Sequence, residues 1–420
     1  MKNQTKFSIL MLFASFSAFT FGQQVQYAGT NTFEGSIDKL KEITANHAEI
    51  KAAVSEQANP EADEDDTPTF TLGGSIDTYF HSTFGHKNAF FGDAHAPSTS
   101  FGDLKGFSLG MVNLVATYGG EKVGFTGDFV LGPRGKAAVF GSATGQSIIN
   151  QLFAYYKVGE SITLNMGQFN TFLGYEVISP ATNFHYSTSY MFSYGPFNHT
   201  GFRADIDLGG GLGAKVALMN PTDLVEFNPV NTYTLGSQLG FSNDNGGAWI
   251  NVLYGDQDGT LNAEDFAGTP FTSAGNLFQV DLTTGWDLTE RFYLGVNATL
   301  QTVDAGEEYT VSGNVQDISG VSSSFMGVAV YPKFTFSDAF ALGVRAEYFA
   351  VTNGHLDIFG TDANGDGDVM AVTLSANYNL GGLTFIPEFR LDKTSQDSFY
   401  KGTSTGDLLP SINLAAVYKF

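Results

Sequence analysis

From Thr69 onward, apolar and polar residues alternate with a period of two. Between 338 and 350, Phe340, Leu342, Val344, Ala346 and Tyr348 fall on one side, and Gly343, Arg345 and Glu347 on the other. Between 382 and 391, Leu383, Phe385, Pro387 and Phe389 oppose Thr384, Glu388 and Arg390. Over 201–208, Phe202, Ala204, Ile206 and Leu208 oppose Arg203, Asp205 and Asp207. Successive side chains of a strand point to opposite faces, so each segment reads as a strand with one apolar and one polar face. The pattern predicts sixteen strands, at 69–82, 106–118, 121–131, 147–157, 160–169, 199–208, 212–219, 233–242, 247–255, 276–287, 290–301, 322–336, 338–350, 369–379, 382–391 and 409–420. Long connections such as 83–105, 170–198 and 392–408 follow the odd-numbered strands. Tight turns such as Gly119-Gly120, Gly209-Gly210-Gly211 and Asn243-Asp244-Asn245-Gly246 follow the even-numbered ones. All long loops therefore gather at one end of the array, and both of its termini at the other.

Soluble sandwiches or propellers and transmembrane barrels both use period-two strands. Charge separates them. The polar faces carry basic groups (Lys157, Arg203, Lys215, Lys333, Arg345, Arg390) beside acidic ones (Asp77, Asp128, Asp205, Asp281, Glu347, Glu388), while the other face is uniformly apolar, with Phe and Tyr near strand ends. Sixteen strands closed on themselves leave a hydrated lumen for such charges and an apolar wall for lipid. A closed barrel is also the one strand arrangement that pairs every backbone group inside a bilayer. The predicted fold class is all-β, a transmembrane antiparallel β-barrel of about 16 strands over residues 69–420, preceded by a short N-terminal helix.

The first 68 residues do not share the pattern. Residues 1–22 carry Lys2 and Lys6, then the apolar run ILMLFASFSAFTF, then small residues at a cleavage position, which reads as a secretory signal. Residues 23–68 read as a periplasmic leader. Within it, 36–57 places Leu40, Ile43, His47, Ile50 and Val54 on one helical seam, and 61–69 is an acidic linker.

Composition narrows the function. The chain of 420 residues has 20 Lys and Arg against 43 Asp and Glu, a formal charge of −23, and no Cys. Zero Cys excludes thiol catalysis and Cys-ligated metal sites. The acidic balance argues against a nucleic-acid partner. Beyond the N-terminus no run of ~18 apolar residues occurs, so no helix is expected to span a membrane. No nucleophile elbow or triad pattern stands out, and no enzyme is predicted.

The stretch 150–220 carries GQFNTFLGYEVISP, SYMFSYGPFNHTG and GFRADIDL. It resembles the OmpL-like β-barrel porin family (porin-2 type) of Gram-negative outer membranes. The resemblance implies an outer-membrane channel with both termini periplasmic and leaves the solute undefined. Lipid, lipopolysaccharide and small solutes are then the expected partners, and a homotrimer is compatible.

Loop 170–198 is the longest connection and is rich in Tyr, Phe and Asn. Left outside it would expose aromatic surface, so it is read as folded into the lumen; packing across the outer mouth is the competing reading. The expected pore-lining or solute-binding residues are Arg203, Asp205, Asp207, Arg345, Glu347, Glu388 and Arg390 on the wall, with His185, Tyr186 and His199 about the loop. The wall charges serve equally well as bracing ion pairs. His81, His86 and His95 lie near Asp93, a metal cluster or simply loop histidines. Asp362, Asn364, Asp366 and Asp368 repeat oxygen ligands at alternate positions, the first half of a calcium loop, although Thr373 stands where its Glu belongs. Calcium in an outer loop and a plain acidic turn both fit; no cofactor is required. Acidic loops over a charge-balanced wall predict weak cation preference.

The sequence therefore predicts an outer-membrane porin giving passive diffusion of small hydrophilic solutes or ions through a lumen narrowed by loop 170–198. The alternative is a plugged barrel serving as a surface binding or adhesion scaffold.

Overall fold

The computed structural model describes residues 68–420 apart from 91–94, 143–144, 146, 230, 258–275, 305–307, 312–313, 318–321, 355 and 357–358. The signal sequence, the leader with its helix 36–57, and Asp93 lie outside the described residues. Sixteen antiparallel strands close into one barrel, each paired with its neighbours in sequence. They are β1 (Thr69–Ser82), β2 (Gly106–Gly119), β3 (Val123–Leu131), β4 (Ile149–Lys157), β5 (Ile162–Asn170), β6 (Asn198–Gly209), β7 (Leu212–Met219) and β8 (Thr234–Asn243). The second half comprises β9 (Gly246–Gly255), β10 (Leu277–Thr289), β11 (Phe292–Val303), β12 (Ser323–Ser337), β13 (Phe340–Thr352), β14 (Gly367–Leu380), β15 (Leu383–Thr394) and β16 (Leu408–Lys419). Strand β16 closes the ring against β1, with Ser75 opposite Lys419 and Phe80 opposite Leu414. Observed boundaries differ from the alternation pattern by at most three residues.

The alternation becomes an inside-out protein. Phe107 and Met370 are 92% and 59% exposed, whereas Arg345 and Arg390 are 0% and 1% exposed. Closure leaves no unpaired edge, and every strand points its apolar set outward. At the short-turn end the chain reverses in very few residues. Gly209, Gly210 and Gly211 all take positive φ (79°, 65° and 84°), which glycine alone adopts without cost.

The long connections contain structure that period-two reading does not reveal. Helix α1 (Pro133–Ala138) lies in the connection after β3, and α2 (Tyr190–Tyr194) in the connection after β5. Lys87–Asn88, Phe399–Lys401 and Ser404–Gly406 join two sequence-distant loops into a small sheet, and Glu308–Val311 pairs with Asn314–Asp317.

Candidate functional site

The connection from Asn170 to Asn198 leaves β5 and travels around the inner wall before returning at β6. Its Gly174 amide donates to Asp281 on β10 at 3.0 Å. The Tyr175 hydroxyl meets that of Tyr293 on β11 at 2.7 Å, and its ring stacks on Tyr331 of β12 at 4.1 Å. Glu176 pairs with Arg345 on β13 at 2.6 Å. His185 Nδ1 lies 2.8 Å from Ser375 Oγ on β14. The Tyr186 amide donates to Glu388 on β15 and its hydroxyl to Asp77 on β1, at 2.8 and 2.6 Å.

Glycines make room for this path. A Cβ on Gly236 of β8 would stand 2.7 Å from Phe172, on Gly295 of β11 2.5 Å from the Tyr175 hydroxyl, and on Gly343 of β13 2.4 Å from Phe184. Gly327 of β12 faces Met191 in the same way, at 2.3 Å. A strand-interior glycine weakens its strand, and close approach of another segment is the usual compensation. These positions are seats for loop side chains.

Charged wall residues satisfy the loop backbone. Glu388 accepts the amides of Tyr186 and Ser187 at 2.8 and 3.1 Å, and Glu347 those of Tyr190 and Met191 at 2.9 and 2.8 Å. Arg345 donates to the Ser187 carbonyl at 2.6 Å, and Arg390 to that of Thr188 at 2.7 Å while paired with Asp392 at 2.8 Å. An irregular buried backbone must find such partners. Arg345, Glu347, Glu388 and Arg390 are thus brought together on the inward face, as their alternation predicts. They touch the loop and are sealed beneath it. His185 and Tyr186 belong to the same assembly. Burial, with the Arg345 charge beside it, pushes the His185 imidazole down to about 3, so it is neutral. The Ser375 hydroxyl links His185 to Glu388, to which it donates at 2.9 Å.

Further supports come from other connections rather than from the wall strands. Arg134 of α1 donates through Nε to the Ile178 carbonyl at 2.9 Å and lies over the Phe101 ring at 4.1 Å. At the returning end, Asp223 accepts the amides of Phe197 and Asn198 at 3.0 and 2.8 Å. Burial raises its carboxyl to about 7, against the lowering effect of those bonds.

A second charged group stands on β6 and β7. Asp205 bridges Arg203 at 2.8 Å and Lys215 at 3.0 Å. Asp207 does not join it; that side chain is exposed and accepts the Gly209 amide at 2.8 Å in the adjoining turn. His199 Nε2 lies 3.0 Å from Thr171 Oγ1, fixing the first residue of the loop.

The remaining expected residues are dispersed. Asp362 accepts the amides of Asn364 and Asp366 at 2.8 and 3.0 Å, and Asp366 that of Asn353 at 3.0 Å. Asp368 lies at the start of β14, its amide donating to Ser395 at 2.9 Å. Among the described residues, no three His, Asp or Glu side chains converge as a metal would require. His81 contacts Asn413 and the Ala96 carbonyl, His86 the Thr83 carbonyl, and His95 Asp103 at 3.2 Å. Sequence reasoning passed over Glu176, Arg134, Asp223 and the glycine seats. Isolated glycines inside otherwise regular strands were the available signal.

Comparison with known proteins gives a family and a fold. The family model described as "Putative beta-barrel porin-2, OmpL-like" matches residues 69–420. In-vitro folded OmpT of Vibrio cholerae, in its trimer form, is 10% identical and superposes with a TM-score of 0.52 over 84% of this chain and 100% of that one. The outer membrane channel DcaP of Acinetobacter baumannii gives 13% and 0.51, covering 86% and 100%. The anion-selective porin from Comamonas acidovorans gives 12% and 0.53, covering 84% and 100%. At these identities the likeness is one of fold. No curated protein matches the chain.

Proposed function

The chain belongs to the OmpL-like beta-barrel porin-2 family, and on that premise we propose that it admits small hydrophilic solutes or ions to passive diffusion across the outer membrane, through a lumen narrowed by loop 170–198. The observation that carries this reading is the anchoring of Tyr186–Met191 by Glu347, Glu388, Arg345 and Arg390. Four buried charges spent on one irregular segment make sense where that segment sets a cross-section. The exposed apolar set on every strand suits lipid contact. The short-turn end, where Gly74 and Phe420 exchange backbone hydrogen bonds of 2.9 and 3.0 Å, is assigned to the periplasm. The long-loop end then faces lipopolysaccharide. A homotrimer, the form described for the Vibrio cholerae protein, fits the same barrel.

One observation favours the plugged scaffold as a second reading. The loop reaches in turn β8, β10, β11, β12, β13, β14, β15 and β1. Planar-bilayer recording on the purified protein decides. Stepwise open-channel current supports the porin, and replacing 172–196 with a short glycine turn then raises unit conductance. Silence from the intact protein, with current after that replacement, supports the plug.

A further inference from the structure

Register places Tyr293, Lys333 and Gly343 side by side on the inward face of β11, β12 and β13, toward the short-turn end. The loop meets the wall on both sides of Lys333, through Tyr175 on Tyr293 and Phe184 on Gly343. The Lys333 ammonium lies 5.0 Å from the Tyr293 ring centroid. Among the described residues, no carboxylate stands within 4.0 Å of it. Asp287 of β10 acts on it only from beyond that distance, and a half-buried ammonium is costly without an anion in direct contact.

Two further polar groups on this stretch of wall are unanswered. Tyr331, two residues along β12 on the same face, is 4% exposed, and its hydroxyl has no hydrogen-bond partner. Asn377, one inward position from Ser375 on β14, has a buried side-chain oxygen without a partner. Between them the wall is small, Gly343 and Ala341, while Phe184 and Tyr293 provide ring faces.

Resting on the porin reading, we propose that Lys333 marks a subsite for the carboxylate or phosphate of a small organic anion. The ammonium takes the charge, the Tyr331 hydroxyl donates to the ligand, the Asn377 Oδ1 accepts from a hydroxyl of the ligand, and Tyr293 and Phe184 cover the uncharged part. Cation–ring and ring–ring contacts of this kind are stronger where water is scarce. A cation beside loop 170–198 outweighs acidic loops at the mouth, because a low-dielectric lumen narrowed by that loop focuses its field. The channel therefore prefers anions, the reverse of what the net charge implies.

The test is reversal potential of the full-length protein in planar bilayers under a KCl gradient. Chloride is expected to exceed potassium in permeability. Lys333→Gln lowers that ratio severalfold, Lys333→Arg retains it, and Lys401→Gln, in an outer-loop strand, leaves it unchanged. Glucuronate and inorganic phosphate, added separately, reduce the wild-type current and not that of Lys333→Gln; whichever acts identifies the anionic group. Equal ratios for wild type and Lys333→Gln, or equal block, overturn the subsite while leaving the porin standing. If neither protein conducts, the porin reading fails, and the subsite is judged by thermal unfolding in detergent. Glucuronate or phosphate then raises the transition of wild type by several degrees more than that of Lys333→Gln; equal shifts, or none, overturn it.

Discussion

Arg345 on the wall and Glu176 on the loop form a 2.6 Å ion pair from which water is excluded, with side-chain exposures of 0% and 4%. Removing one partner of such a pair leaves a buried charge unanswered, at a cost of roughly 3–5 kcal/mol. Arg345 also holds the Ser187 carbonyl, so Arg345→Ala frees the loop at two points. The barrel strands remain paired. The expected result is a lower unfolding temperature in detergent together with noisier, larger unit currents. Loss of stability without any change in current would show that the pair braces only the wall.

The glycine seats make a separate, steric prediction. A methyl group at Gly295 would stand 2.5 Å from the Tyr175 hydroxyl. Gly295→Ala is therefore expected to unseat Tyr175 and increase conductance, although alanine suits a strand better than glycine. Tyr175→Ala in the Gly295→Ala background removes the clash and should bring stability back toward wild type. That double-mutant coupling, in the range of about 0.5–3 kcal/mol for residues in contact, is the readout. Simple additivity would mean that Tyr175 does not occupy the seat.

The barrel was legible in the sequence because a membrane wall needs one apolar residue at every second position. Strand β13 shows it plainly, with Leu342, Val344 and Ala346 outward and Arg345 and Glu347 inward. The roles of those two charges were not legible. Their partners, Glu176 and the amides of Tyr190 and Met191, lie more than 150 positions away in an irregular segment without periodicity. Alternation reports which side a residue faces, and says nothing of what fills the space it faces. Asp207 illustrates the converse error. Its parity matches Asp205, yet it lies at the strand end, where the turn amide of Gly209 claims it.

Acid–base behaviour at the returning end of the loop follows from Asp223. Its carboxyl, raised to about 7 by burial, titrates near 3.9 in the unfolded chain. The folded state therefore holds the proton over the window between those values. Stability from this group is fully present below about pH 3.9 and is lost as pH rises through about 7, on the order of 4 kcal/mol at most. Asp223→Asn keeps an acceptor for Phe197 and Asn198 without the charge. Its advantage over wild type should be largest at pH 8 and vanish near pH 4. Parallel pH–stability curves for the two proteins would remove Asp223 as the cause.

Asp362 allows the calcium and turn readings of the connection before β14 to be separated. One of its oxygens already accepts the amides of both Asn364 and Asp366, and hydrogen bonds from those amides hold its carboxyl below the usual range. Asp366 is likewise occupied by the Asn353 amide. A calcium loop needs six or more oxygens turned toward one point, whereas here Asp362 is turned to the amides of Asn364 and Asp366, and Asp366 to that of Asn353. The expected outcome is that millimolar calcium does not shift the unfolding transition. Asp362→Ala should instead speed amide exchange at Asn364 and Asp366 equally with calcium and with a chelator. A calcium-induced rise in stability that Asp362→Ala abolishes would establish an ion at this turn and defeat the purely local account.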